Sequence, residues 1–280
     1  MKKNIVPPPE TVNMMWSGDL TSMERMCIGS FIRHGYRVEL YTYNDLTGVP
    51  AGTVIRDAST VVPQDYVANF QNPQNFSDYF RYCLLARTGG WWMDCDVYCL
   101  RQMHFPTDYV FGLAGTDPEL YYAGMMRVPA GSELMRDAAN YVFTIDTMAT
   151  SYQHIGPELL SRLVQEKGLR RYVYPTEVFD PTRCWNVSRL VDPIYDCDLS
   201  KSMTVHLGNA AWESGPQSQF QPVRLMKHAR YPVDCLYERM RSGLAYPPVS
   251  APDPNFPPPK LGLRRYSLTG VSDWHDRYKP

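Results

Sequence analysis

The chain has 280 residues, 44% of them hydrophobic and 20% charged, with a formal net charge of −1 at pH 7. This is the composition of an ordinary globular protein, one large domain or two small ones, able to bury a substantial core. Lysines and arginines are scattered rather than clustered, which excludes nucleic acid as the main partner.

Residues 1–10 (MKKNIVPPPE) form a proline-rich lead. Two lysines resemble the start of a signal peptide, but the prolines arrive before any apolar stretch of the required length. Nowhere does the chain approach the ~20 apolar residues that span a bilayer. The seven cysteines contain no C-x-x-C pair. Neither a structural zinc site nor a secreted disulfide framework is expected, and the thiols read as small apolar side chains of a cytoplasmic protein.

Thr11–Trp16 is a short apolar run and predicts a buried strand, broken by Ser17-Gly18-Asp19. Thr21 with Glu24 makes a capping-box pattern for a helix that carries Met23, Met26, Cys27, Ser30 and Phe31 on one face and stops at Gly35. Tyr36–Tyr43 alternates and is rich in β-formers, a second strand. Strand, helix and strand at this spacing predict a βαβ unit, hence a parallel sheet in an α/β domain. The unit lacks G-x-G-x-x-G, which disfavours a dinucleotide fold of the dehydrogenase kind. A third strand is predicted at Thr53–Arg56. A helix follows over Phe76–Thr88, capped by Ser77 and ended by Gly89-Gly90, and then a central strand over Trp91–Leu100. Further on, Asp108–Leu113 reads as a strand, Ser132–Phe143 and Pro157–Lys167 as helices, and Val205–Trp212 as a strand running into a glycine turn. From residue 245 prolines predict an irregular tail.

Chemistry concentrates between residues 76 and 100. Asp78 and Arg81, three apart on a helix, share a face. On an extended strand Asp94 and Asp96 project from the same side while Cys95 points away. Same-face neighbours lie ~6.6 Å apart, too far for both to bind one small ion directly. A bend after Asp94, or one water-mediated contact, closes that gap. Hard oxygen ligands at a strand end suit Mg²⁺ or Mn²⁺, which usually share their sites with substrate phosphates. A second D-x-D, Asp196-Cys197-Asp198, lacks an apolar strand around it and reads as a turn.

The whole word S-D-x-x-R-x-x-x-L-x-x-x-G-G-W-W-M-D-x-D, from Ser77 to Asp96, resembles the signature of glycosyltransferase family 32 and related DXD sugar-binding transferases, including capsular polysaccharide transferases and clostridial glucosylating toxins. VNMMWSGDLTSMERMCIGSFIRHGYRVELYTYND resembles the opening of that family, HIGPEL (His154–Leu159) its Gly-Pro loop beside the donor sugar, and VHLGNAAW its late His…Trp element. The resemblance spans roughly residues 10–215. It implies a GT-A nucleotide-sugar-binding fold, α/β with a central mixed, mostly parallel sheet flanked by helices, here over residues 11–244 between the proline-rich lead and the tail of 245–280.

The same resemblance implies a metal-dependent transfer of a sugar from a nucleotide-sugar, a UDP-sugar favoured, to a saccharide, lipid-linked or other hydroxyl acceptor with retention of configuration. Trp16 would stack on the nucleotide base, and Asp78 and Arg81 would hold the donor sugar or diphosphate. Asp94 and Asp96 would hold Mn²⁺ or Mg²⁺, with His206 as a candidate third ligand, and Asn209 and Trp212 would donate N–H groups to phosphate. Many relatives place an asparagine where this chain has Ala123 or Gly124, and a smaller pair where it has Trp91-Trp92. Paired aspartates with Mg²⁺ also suit a phosphohydrolase or nucleotidyltransferase, and a catalytically inactive sugar-nucleotide-binding protein is a third reading.

Overall fold

A computed structural model describes residues 9–116, 118–151, 153–184, 186–212 and 225–243. The readings of the proline-rich lead and of the 245–280 tail lie almost wholly outside these residues. Strand β1 (Thr11–Met15) leads through helix α1 (Ser22–Arg33) to β2 (Arg37–Thr42), and β1 and β2 pair in parallel. The capping box at Thr21 and Glu24 forms as the sequence predicts, and Met23, Met26, Cys27, Ser30 and Phe31 are all buried, Phe31 with Val38 and Trp91 of the sheet and Met23, Met26 and Cys27 in a separate cluster with Tyr98, Leu207 and Tyr237. Gly35 follows with φ of +82°, a left-handed step that lets the chain leave the helix and enter β2.

Strand β3 (Val54–Asp57) extends the sheet in parallel beyond β2. Helix α2 (Pro73–Thr88) then delivers the chain to β4 (Gly90–Met93), parallel to β1. The short strand β5 (Val97–Cys99) leaves that sheet, and the chain returns to it in β6 (Val110–Thr116) and β7 (Glu119–Val128). After helices α3 (Glu133–Val142) and α4 (Leu159–Glu166), strand β8 (Val173–Tyr174) adds the last edge. Among the described residues the order is β3-β2-β1-β4-β7-β6-β8, with β7 antiparallel to both β4 and β6. The sheet is therefore mixed and mostly parallel, and helices flank it, as expected. Helices α5 (Thr176–Phe179) and α6 (Ser188–Val191) precede β9 (Thr204–His206), which pairs antiparallel with β5 in a separate small sheet, and α7 (Leu236–Arg241) follows.

β4 sits at the centre of the large sheet, so both its faces are covered. Trp91 packs into the layer with Phe31, Val38 and Phe179, while Trp92 packs into the layer with Phe80, Met126 and Leu134. Adjacent strand residues point to opposite faces, which is why two consecutive tryptophans fill two cores. Each aromatic side chain buried this way contributes roughly 1.5–3 kcal/mol over its exposed state.

Two sequence expectations fail locally. Helix α2 begins at Pro73, one turn early, because Asn72 caps it by accepting the N–H of Asn75 and proline fits the first helical position. Ser77 is therefore inside the helix, where its Oγ accepts from Arg81. The strand expected over Trp91–Leu100 is broken in two: Val97 N–H bonds the Asp94 carbonyl across a tight turn (3.0 Å). Asp94 and Asp96 thus flank a bend and not an extended ladder.

Candidate functional site

β1 and β4 run parallel, so their carboxyl ends lie at the same edge of the sheet, where ligands of open α/β folds bind. Trp16 follows β1 and Asp94 follows β4 at that edge. The Trp16 indole is half-buried and its N–H bonds the Asp19 carbonyl at 3.2 Å.

Helix α2 aims Asp78 and Arg81 at the turn after β4. The Arg81 guanidinium pairs with Asp78 Oδ1 at 3.0 Å and with Asp94 Oδ1 at 3.1 Å, and it also bonds the Ser77 carbonyl and hydroxyl. It lies 4.9 Å from the centre of the Trp92 ring, a cation–π platform, and the Trp92 indole N–H donates to Asp94 Oδ1 at 2.8 Å. Trp92 itself is fully buried beneath the arginine. Planar, fork-like donors on a flat aromatic base fix the carboxylates in one geometry, which a lysine could not do.

Two glycines make room for these carboxylates. A Cβ on Gly124 would collide with the Asp94 carboxylate, 2.9 Å from its Cγ, and the Gly124 carbonyl accepts the Asp94 N–H at 2.9 Å. A Cβ on Gly156 would stand 2.5 Å from Asp78 Oδ2. Gly156 lies in the wide turn His154–Glu158, and Tyr82 O–H holds that turn through the carbonyls of Ile155 (2.9 Å) and Gly156 (3.2 Å). The HIGPEL stretch is thereby brought against Asp78. Burial pushes the Asp78 carboxyl up to about 7, with Arg81 opposing and Asp94 adding to the rise.

Asp96 belongs to a second set of contacts. Its Oδ2 accepts the backbone N–H of Asn209 at 2.6 Å and faces His206 Nε2 at 3.4 Å, while Oδ1 is buried without a hydrogen-bond partner. Burial works to raise the Asp96 carboxyl, and His206 with the Asn209 N–H outweighs it, leaving the group below its ordinary range. For His206, burial lowers the pKa, but neighbouring Cys184 and Asp96 carry it well above the ordinary value. The Asn209 side-chain carbonyl accepts from Lys227 at 2.7 Å, and Lys227 also pairs with the buried Glu24 of the capping box at 3.3 Å.

Helix α2 and the β4 end therefore gather Asp78, Arg81 and Asp94, and the late strand gathers His206 and Asn209 around Asp96. Trp212 stands apart from both sets: its indole N–H bonds the Leu207 carbonyl at 2.7 Å and its ring packs 4.7 Å from Tyr237. The backbone N–H of Asn209 is likewise given to Asp96 and not left for an incoming phosphate. Sequence reading missed Gly124 and Gly156 as cradles, Tyr82 as the clamp on the 154–158 turn, and Lys227. Gly156 had a signal, since it lies inside the HIGPEL stretch, whereas Gly124 stood where the chain departs from the resemblance, and the pairing of each with a particular aspartate is tertiary.

Among the described residues no helix is long and apolar enough to cross a membrane. No curated protein matches the chain. Among solved structures it is similar to one titled PaToxG Glycosyltransferase, with 11% identity and a TM-score of 0.43, over 58% of this chain and 71% of that one. Residues 24–111 match the family model of the glycosyltransferase sugar-binding region containing a DXD motif. The stretch that matches this model holds Asp78, Arg81, Asp94 and Asp96.

Proposed function

We propose that the chain transfers a hexosyl unit from a nucleotide-sugar, a UDP-sugar by preference, to a hydroxyl of a saccharide or lipid-linked acceptor, with retention of configuration. The observation that carries the reading is the Asp78–Arg81–Asp94 array, Asp78 and Arg81 buried and Asp94 partly open to solvent, set on Trp92 and relieved by Gly124 and Gly156 at the carboxyl edge of the sheet. A buried carboxylate with one oxygen fixed and space kept beside the other is built to receive hydroxyl donors or a cation.

Asp94 and Asp96 fit a divalent cation, Mn²⁺ or Mg²⁺. Asp96 Oδ1 is an orphaned buried oxygen, and glycine at 124 keeps side-chain atoms off the Asp94 carboxylate. Such an ion, when bound, supplies positive charge against the leaving diphosphate. The protein's own groups do the rest. Arg81 holds Asp94 in place and keeps positive charge beside the donor, and Asp78 accepts hydrogen bonds from sugar hydroxyls. His206 supports Asp96 from its Oδ2 side, and Trp16 lies at the same edge for the base to stack on. Asn209 and Trp212 reach phosphate in this reading only after exchanging the bonds they make here, a closure of the late loop over the donor. The buried, unpaired thiols Cys27, Cys95, Cys99 and Cys235 suit a cytoplasmic protein.

The test incubates the purified chain with UDP-, GDP- and CDP-sugars, with Mn²⁺ or with chelator, and follows nucleoside diphosphate release together with thermal stability. The reading expects metal-dependent stabilisation and slow donor hydrolysis with one nucleotide class. Indifference to every donor and to the metal would refute it, and release of inorganic phosphate would favour a phosphohydrolase.

A further inference from the structure

Behind Asp96 lies a group of three side chains, of which the sugar-transfer reading uses only His206. Asp180, Cys184 and His206 each offer one ligand atom, oxygen, sulfur and nitrogen, and these atoms lie within 4.8 Å of one another. Asp180 is wholly buried at the end of α5. Its Oδ2 accepts the Tyr122 O–H and the Cys184 backbone N–H (2.8 Å), which fixes the carboxylate and leaves Oδ1 buried with no partner. His206 Nδ1 is also buried without a partner, and the Tyr122 ring stands edge-on to the imidazole at 5.6 Å. Orphaned polar atoms on two residues of one cluster are rare in a folded interior and ask for a ligand.

We propose that Asp180, Cys184 and His206 form a thiolate-containing cation site of the zinc type, distinct from the D-x-D pair. Sulfur and imidazole donors select Zn²⁺ over the Mn²⁺ or Mg²⁺ suited to carboxylates alone. Tetrahedral bonds to sulfur, nitrogen and oxygen place ligand atoms roughly 3.3–3.8 Å apart, so closure needs inward movement of about 1 Å. Binding requires the Cys184 thiolate, and its proton is released to solvent. Backbone geometry already joins the two segments: a Cβ on Gly208 would strike the Cys184 carbonyl, so the 180–184 loop and the β9 exit are in direct contact. An ion there locks the imidazole that faces Asp96 and so positions the second aspartate of the D-x-D turn. The absence of any C-x-x-C spacing hid this site, because its ligands come from two segments more than 20 residues apart in sequence.

The metal-free chain is loaded with Co²⁺, with no donor present, and its absorption spectrum recorded. The proposal expects a thiolate-to-cobalt charge-transfer band and the intense visible bands of tetrahedral cobalt, both displaced by Zn²⁺. Cys184→Ser removes the charge-transfer band, and Asp180→Asn, whose carbonyl still accepts from Tyr122 and Cys184, weakens cobalt binding at least tenfold. Asp94→Asn leaves the spectrum intact while abolishing donor-dependent stabilisation, which separates failure of this site from failure of the sugar-transfer reading. Circular dichroism verifies that each variant is folded. A native protein without the charge-transfer band, a band that survives Cys184→Ser, or one lost in folded Asp94→Asn overturns the proposal.

Discussion

Replacing Asp78 by asparagine separates what this carboxylate costs the fold from what it does for a ligand. Burial carries its pKa from 3.8 to about 7. That interval corresponds to about 4 kcal/mol of differential stability between the protonation states. The sign follows from proton binding. Below about pH 4 the carboxyl is protonated in both folded and unfolded chains and contributes no penalty. Between about pH 4 and pH 7 the unfolded chain ionises first, so the folded state loses stability as pH rises, and above about pH 7 the full penalty stands. Asparagine keeps an acceptor for Arg81 Nη1, which lies 3.0 Å from Asp78 Oδ1, and has no charge to desolvate. Arg81 remains paired with Asp94. Urea unfolding of both proteins, with chelator present, gives the stability difference at each pH. Asp78→Asn is expected to gain on the native protein from pH 4 to pH 7 by at most about 4 kcal/mol and to hold that gain at pH 8, while losing donor turnover. A difference that stays flat across this window, or that shrinks as pH rises, would refute the raised pKa.

Three other substitutions test the parts around it. Gly124→Ala pushes the Asp94 carboxylate aside, and kcat/KM for donor hydrolysis is expected to fall at least tenfold with little change in unfolding midpoint, because Gly124 has an ordinary strand backbone. Arg81→Met leaves two carboxylates facing an apolar side chain, and chemical denaturation is expected to show a loss of about 3 kcal/mol at neutral pH. Asp96→Asn is expected to remove Mn²⁺-dependent turnover and to lower stability by about 1–2 kcal/mol, since the bond from the Asn209 N–H then meets a neutral acceptor. Turnover by Asp96→Asn at the native rate would remove this residue from the site.

Local signals carried the first part of the fold. The Thr21–Glu24 capping box, the buried stripe of α1 and the alternation of β2 are decided within a few residues of one another, and the structure holds all three. The start of α2 was also written locally, in Asn72-Pro73, but Ser77 offers a competing cap closer to the apolar run. The break at Asp94–Asp96 is harder to read, because Cys95 and Val97 continue an apolar run, and only the need to bring two carboxylates to one ion suggested the bend after Asp94 that the structure has. The site divides in the same way. Asp78, Arg81, Asp94 and Asp96 lie in one contiguous word, whereas Gly124, Gly156, Lys227 and the Asp180–Cys184 loop reach it only through the sheet order and the β5–β9 pairing.

That division sets a limit on how small a working unit this chain contains. The stretch of residues 24–111 that matches the family model holds every charged group of the D-x-D word, yet it does not hold their supports. β4 lies between β1 and β7, so a piece spanning only residues 24–111 would lack both β1 and β7 and would expose Trp91 and Trp92 on an unpaired central strand. Asp94 would lose the Gly124 carbonyl, Asp96 the Asn209 N–H, and β5 its only strand partner among the described residues. An unpaired buried acceptor costs roughly 1–3 kcal/mol and an open hydrophobic edge invites aggregation. The two carboxylates are adjacent in sequence but are held by different halves of the molecule, Asp94 by α2 and β7 and Asp96 by the late strand. The Asp94–Val97 turn, pinned where Cys95 Sγ meets the Met15 carbonyl at 3.4 Å, is where those halves meet. Geometry between the aspartates therefore depends on both halves being folded, and the region recognisable in sequence carries the charged groups and not the parts that hold them in place.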